Sequence, residues 1–181
     1  RYLVATVDTQ NSFWVVQVHG FGVEGRMWVI DRFTVKESER EKVIEDIDDK
    51  GQPRERKVVL PVRPGTHAED WDVLTRALAG LSYPIEGVDA RMTPMAFAVD
   101  SGGSDNTTQH AYAWWRGLRT SGSGMHQRVH LLKGEPKPFA PLVELRFPDG
   151  TGRANRSAQG AGDVPVAFIG NTAAKDVFSA L

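Results

Sequence analysis

The sequence predicts an α/β fold in which a mixed sheet, three antiparallel strands followed by parallel ones, is flanked by helices. Three observations carry that expectation. The N-terminal part holds three apolar, β-branched runs separated by short turns; later apolar runs alternate with segments of helical period; and two of the runs stop on an aspartate.

Taken in order, Tyr2 to Asp8, Phe13 to His19 and Met27 to Val35 are strand-like, with Asn11-Ser12 and Gly20 to Gly25 as turns between them. Short connections make these three strands antiparallel neighbours. The stretch from Lys36 to Lys57 is dense in charge, and Val43, Ile44 and Ile47 give it one weak helical stripe, so it reads as a solvated excursion. Thr66-His67-Ala68-Glu69 has the capping-box form, followed by a helix with Trp71, Leu74 and Leu78 on one face. After Tyr83-Pro84 the chain returns through Pro94 to Val99 as a short strand ending on Asp100. Gly102-Gly103 then turns, Ser104 or Asp105 caps, and Gln109 to Arg119 forms a second helix in which one ring of Trp114-Trp115 packs in the core and the other is partly exposed. Arg128 to Leu132 is a further strand. Glu135 to Pro165 is rich in Pro, Gly and small polar residues and reads as loop with a hairpin around Val143 to Phe147. Val166 to Ile169 is a last strand before a helix beginning near Thr172.

Composition bounds the chemistry. With 181 residues, 40% hydrophobic, the chain suits one domain with a packed core over residues 1–181. The absence of cysteine excludes disulfides and thiolate metal sites, so any metal sits on Asp, Glu, His or carbonyl oxygens, which points to Mg²⁺ or Mn²⁺. No apolar run approaches the roughly 18 residues of a membrane span and no signal peptide opens the sequence, so a soluble intracellular domain is expected. A net charge of −1 counts against a free-standing DNA-binding module. Arg1 stands where an initiator Met would be, and the apolar positions Ala174, Val177, Phe178 and Leu181 fall at helical spacing up to the last residue, so the chain is expected to be a fragment of a longer protein.

Several short patterns resolve to ordinary structure. Gly20-Phe21-Gly22-Val23-Glu24-Gly25 matches the dinucleotide-binding spacing, but a strand follows where a helix N-terminus is needed, so the glycines read as a turn. Asn106-Thr107-Thr108 and Asn155-Arg156-Ser157 match the glycosylation acceptor without a secretory signal. Histidines 19, 67, 110, 126 and 130 form no metal-binding pair, and no G-x-S-x-G elbow supports a serine hydrolase.

Val7-Asp8-Thr9-Gln10 and Val99-Asp100-Ser101-Gly102-Gly103 are different. Either aspartate alone reads equally as a turn cap. A helical crossover from the third strand, however, places the Asp100 strand beside the first and parallel to it. Asp8 and Asp100 then meet at the carboxyl ends of adjacent strands, where a sheet presents its ligand crevice. Together the pair reads as a site for divalent metal, the usual means of phosphodiester cleavage. This is a ribonuclease H-like layout. Gln10 and Ser101 serve either metal waters and phosphate or plain turn chemistry, and Lys133 and Lys175 are either phosphate-facing or surface charge.

The ordered set Val-Asp-Thr-Gln at 7–10, Gly65-Thr66-His67-Ala68-Glu69-Asp70-Trp71, Val99-Asp100-Ser101-Gly102-Gly103, Ala111-Tyr112 with Trp115-Arg116, Leu132-Lys133-Gly134, Gly162-Asp163-Val164-Pro165-Val166 and Asn171-Thr172 with Lys175-Asp176 resembles the nuclease domain of lambda-type phage terminase large subunits. The resemblance runs over nearly the whole chain. It implies a ribonuclease H-like endonuclease that cuts concatemeric viral DNA in the host cytoplasm, joined to an ATPase upstream of Arg1 and working with the terminase small subunit and the portal. It also implies that Asp8 and Asp100 are the family's first two metal-binding acidic positions, in a two-ion Mg²⁺ or Mn²⁺ site. The third acidic position falls past Leu181; Asp176, Asp163 or Asp105 are the alternatives within the chain, none of them assigned. Two other readings accompany it: a catalytically incomplete DNA-binding or assembly module, and another ribonuclease H-like nuclease of the resolvase or transposase type.

Overall fold

The computed structural model describes residues 1–104, 106–148 and 163–179. Asp105, the Asn155-Arg156-Ser157 acceptor, Gly162, Leu181 and the side chain of Phe178 lie outside the described residues.

Strands β1 (Tyr2–Thr9), β2 (Trp14–Phe21) and β3 (Met27–Val35) form the expected antiparallel meander. Strands β4 (Glu37–Ile47) and β5 (Pro53–Pro61) make a separate hairpin, and α1 (Asp70–Ala79) follows. Two short strands, β6 (Tyr83–Pro84) and β7 (Arg91–Met92), precede β8 (Pro94–Asp100), then α2 (Thr107–Thr120), β9 (Val129–Glu135), β10 (Val143–Arg146), β11 (Val166–Gly170) and α3 (Asn171–Ser179). The main sheet has seven strands in the order β10-β11-β9-β8-β1-β2-β3. The central strands β1, β8, β9 and β11 are mutually parallel, while β2 and β10 run against their neighbours.

One face of this sheet is packed and fixes the register. In β1 the residues Leu3, Ala5 and Val7 are buried, in β2 Trp14, Val16 and Val18, and in β8 Phe97 and Val99: the alternate positions that a period of two sends to one side. Trp71, Leu74 and Leu78 of α1 and Ala111, Trp114, Trp115 and Leu118 of α2 cover that face. Trp71 joins the layers, its ring 5.4 Å from Trp14 and 5.1 Å from Trp114.

Five expectations are corrected. The charged stretch after Lys36 is a long β-hairpin. Its β-branched residues lie opposite charged ones in the ladder, Val43 and Ile44 against Lys57 and Arg56 and Val58 and Val59 against Lys42 and Glu41, and the turn is closed by Asp48, whose carboxylate accepts the N–H groups of Lys50 and Gln52. It is solvated, as expected, because both faces stand largely clear of the body. The Thr66–Glu69 capping box does not form. The helix begins at Asp70, the N–H groups of Thr66 and His67 are satisfied by the carbonyl of Arg63, and Glu69 meets His67 instead. The Ser104 side chain does not cap α2: its hydroxyl donates to Asn11 Oδ1, and Asn106 holds the N-cap position. Both Trp114 and Trp115 are buried, because Thr75 on α1 accepts the indole N–H of one and the Val129 carbonyl that of the other. The strand near Val143 also pairs differently, joining β11 as an edge strand.

Candidate active site

Because β2 runs down between β1 and β3, and β8, β9 and β11 run parallel to β1, the ends of β1, β3, β8, β9 and β11 all lie on one edge of the sheet. The hairpin β4–β5 and the starts of α2 and α3 leave from that same edge. Asp8 and Asp100 sit there on adjacent strands, one residue past the registered pair Val7 and Val99. They share the face opposite α1 and α2, since their neighbours Val7 and Val99 point into the core.

Local bonding holds each carboxylate in place. The Thr9 hydroxyl donates to the Asp100 carbonyl at 2.6 Å, tying the two strand ends together. Ser101 is fully buried, and its N–H and hydroxyl both donate to the Leu132 carbonyl, so it fixes the chain after Asp100 to β9 rather than facing a ligand. The Gly102 N–H donates to Asp100 Oδ1 at 2.8 Å, and Gln10 Nε2 donates to Asp8 Oδ2 at 2.7 Å. Gly103 has φ +145°, and a Cβ there would lie 3.0 Å from Thr107 Oγ1. Only glycine fits a turn drawn that close to the helix start.

Burial pushes the Asp100 carboxyl above its ordinary value. The Gly102 N–H works the other way, the Asp8 charge adds to the rise and Lys133 opposes it. Asp8 and Lys133 therefore lie within electrostatic reach of Asp100. Two like charges, one half-buried, with a single lysine near them, are unfavourable until a further cation joins them. Their oxygen donors are hard and no thiolate competes, so the pair fits Mg²⁺ or Mn²⁺. Among the described residues no group of three or more His, Cys, Asp or Glu side chains gathers at one point.

The other candidate residues divide. Lys133 is within electrostatic reach of Asp100, but its register with Phe168 places it on the alternate face of β9 from Leu132, the partner of Asp100. Lys175 is exposed in the second turn of α3, on the strand edge that carries the site but two strands from β8, with no hydrogen bond to the acid pair among the described residues. Asp163 is engaged elsewhere: Arg116 donates to both of its oxygens and Arg119 to one, and these bonds hold its pKa down at about 2. Asp176 is exposed on α3. Sequence reasoning missed Thr9 and the Gly102 N–H, whose roles depend on the neighbouring strand.

Fold and site together define an α/β protein that presents a pair of carboxylates at the carboxyl edge of a mixed sheet. The family described as terminase large subunit gpA, endonuclease domain, matches residues 1–181, and the chain belongs to that family. No curated protein and no solved structure gives a match. Among the described residues no helix is long and apolar enough to cross a membrane.

Proposed function

We propose that the chain is the ribonuclease H-like endonuclease domain of a phage terminase large subunit. It cuts concatemeric double-stranded viral DNA during genome packaging in the host cytoplasm, alongside the small subunit and the portal. The observation that carries this reading is the convergence of Asp8 and Asp100 on adjacent parallel strands, one of them half-buried, in a chain of the terminase endonuclease family.

Asp8 and Asp100 would hold Mg²⁺ or Mn²⁺. When bound, such ions supply a water acidic enough to ionise near neutral pH and positive charge for the leaving 3′ oxygen. The chain's own residues do the positioning. Gln10 fixes the rotamer of Asp8, and the Gly102 N–H fixes that of Asp100. Thr9 keeps the two strand ends at constant separation. Lys133, within electrostatic reach of Asp100, would offer its ammonium to a non-bridging phosphate oxygen, where charge develops during attack. Lys175 contributes a more distant phosphate contact.

Nicking of supercoiled plasmid by the parent protein in Mn²⁺ tests the reading. Asp8→Asn and Asp100→Asn are each expected to abolish it. Undiminished cutting by either variant would remove that residue from the site. A parent protein that binds DNA without cutting it would favour the assembly-module reading, consistent with only two gathered carboxylates among the described residues.

A further inference from the structure

The face of the sheet that carries the acid pair also carries a polar strip that leads away from it. The ladder pairs Asp8 with Val15 and Val15 with Thr34; one step back along the strands it pairs Thr6 with Gln17 and Gln17 with Arg32. Directly paired residues point to the same side of a sheet, so Thr6, Gln17, Arg32 and Thr34 share the face of Asp8, with half-buried Val15 the one apolar side chain between Asp8 and Thr34. On the other flank Thr6 is registered with Ala98, and Ala98 with exposed His130. Small Thr6 and Ala98 side chains keep this ground low.

Arg32 is the cation of the strip. It is exposed and makes no hydrogen bond or ion pair with another described residue. Its chain neighbour Asp31 does not neutralise it, because Asp31 alternates to the other face and accepts the Tyr83 hydroxyl at 2.8 Å. The polar strip is bounded. Toward the start of β3 the same face becomes apolar at Met27 and Val29, and on β10 it is apolar at Val143 and Leu145.

We infer that Arg32, with Gln17, Thr6 and Thr34, forms a track for the sugar-phosphate backbone of a nucleic acid strand whose scissile bond lies at Asp8 and Asp100. An unpaired guanidinium among hydroxyl and amide groups is the usual chemistry of phosphate contact, which fixes register without reading sequence. Two strand spacings of about 4.8 Å and an offset of two residues put the Arg32 backbone about 12 Å from that of Asp8. At about 3.4 Å per nucleotide along a duplex, that separation corresponds to roughly three to four nucleotides from the cut. The track rests on the nuclease reading, since it takes the acid pair as its end.

Anisotropy of a fluorescent duplex, titrated with the chain across a salt series, tests it. Arg32→Ala should weaken binding about three- to fivefold at low salt and reduce the salt slope by about 0.9, the share of one phosphate. Arg32→Lys should restore most of the slope. Arg26→Ala, at the far end of β3 and paired with Glu24, should change neither. Equal affinity and slope in wild type and Arg32→Ala, or no duplex binding by the wild type, would overturn the track. Plasmid nicking by Asp100→Asn separates the two claims. Abolished nicking with no Arg32 effect removes the track alone, whereas persistent nicking removes the acid pair and, with it, the track that ends there, even where Arg32 still contributes to binding.

Discussion

Replacing Asp70 by alanine should loosen the hairpin that rises from the sheet edge carrying Asp8 and Asp100. Asp70 is fully buried at the start of α1. Its carboxylate accepts bonds from the Ser38 hydroxyl, from Arg40 Nε at 3.2 Å and Nη2 at 2.8 Å, and from the Arg63 N–H at 2.6 Å. Arg40 also donates to the Pro61 carbonyl at 2.8 Å, so one guanidinium ties the base of β4 to both β5 and α1. Burial works to raise the Asp70 pKa, but the donors from Arg40, Ser38 and Arg63 prevail and hold it below the ordinary carboxylate range. Removing one partner of a buried ion pair costs about 3–5 kcal/mol. The Arg40 side chain is 21% exposed, so water recovers part of its loss and the lower end, about 3 kcal/mol, applies. For a domain of this size that is a fall in melting temperature of roughly 6–12 °C. A depressed folded pKa means the contribution is full above about pH 4 and fades as pH falls through the depressed value. The gap between wild type and Asp70→Ala should therefore narrow in acid. Melts followed by circular dichroism at neutral and acid pH check both statements. A fall of less than about 2 °C at neutral pH, or a gap that widens in acid, would refute the anchor.

Asp163 makes a second acid-sensitive tie, between the segment before β11 and α2. Its pKa of about 2 places its stabilising contribution above the ordinary carboxylate value, lost as pH falls through about 2. Asp163→Asn should lower the melting temperature at neutral pH and flatten its decline between about pH 4 and 2. Asp100 has the opposite sign: its raised pKa means that the ionised carboxylate disfavours the folded state above that pKa. Asp100→Asn should therefore raise metal-free stability while cutting is lost, as calorimetric melts in chelator would show. A lower melting temperature in that variant would count against repulsion at the site.

The central sheet and the acid pair were legible because their signals are local. Tyr2–Asp8 and Pro94–Asp100 are short apolar runs that end on Asp, and helical crossovers fix parallel order, so the convergence followed from topology alone. The hairpin β4–β5 was not legible, because an arm with both faces in water needs no alternation of apolar and polar residues. Val43, Ile44 and Ile47 then mimic a helical stripe. Thr66 and Glu69 have the right spacing for a capping box, yet the backbone turns of residues 63–70 satisfy the same donors first. The burial of Trp114 depends on Thr75, 39 positions away, and the Asp70 anchor on Arg40, 30 positions away. No window of sequence contains either partner pair. Gln10 bonding to Asp8 lay within reach of sequence reasoning, but its direction was settled only by the turn that follows β1.

The most direct test of the acid pair as a metal centre is calorimetric titration of the chain with Mn²⁺. Wild type should give a saturable binding heat, weakened by more than about tenfold in both Asp8→Asn and Asp100→Asn. The Asp163→Asn chain, whose aspartate is already engaged by Arg116 and Arg119, should bind as wild type does. Unchanged Mn²⁺ affinity in either site variant, or loss of binding only in Asp163→Asn, would contradict the assignment.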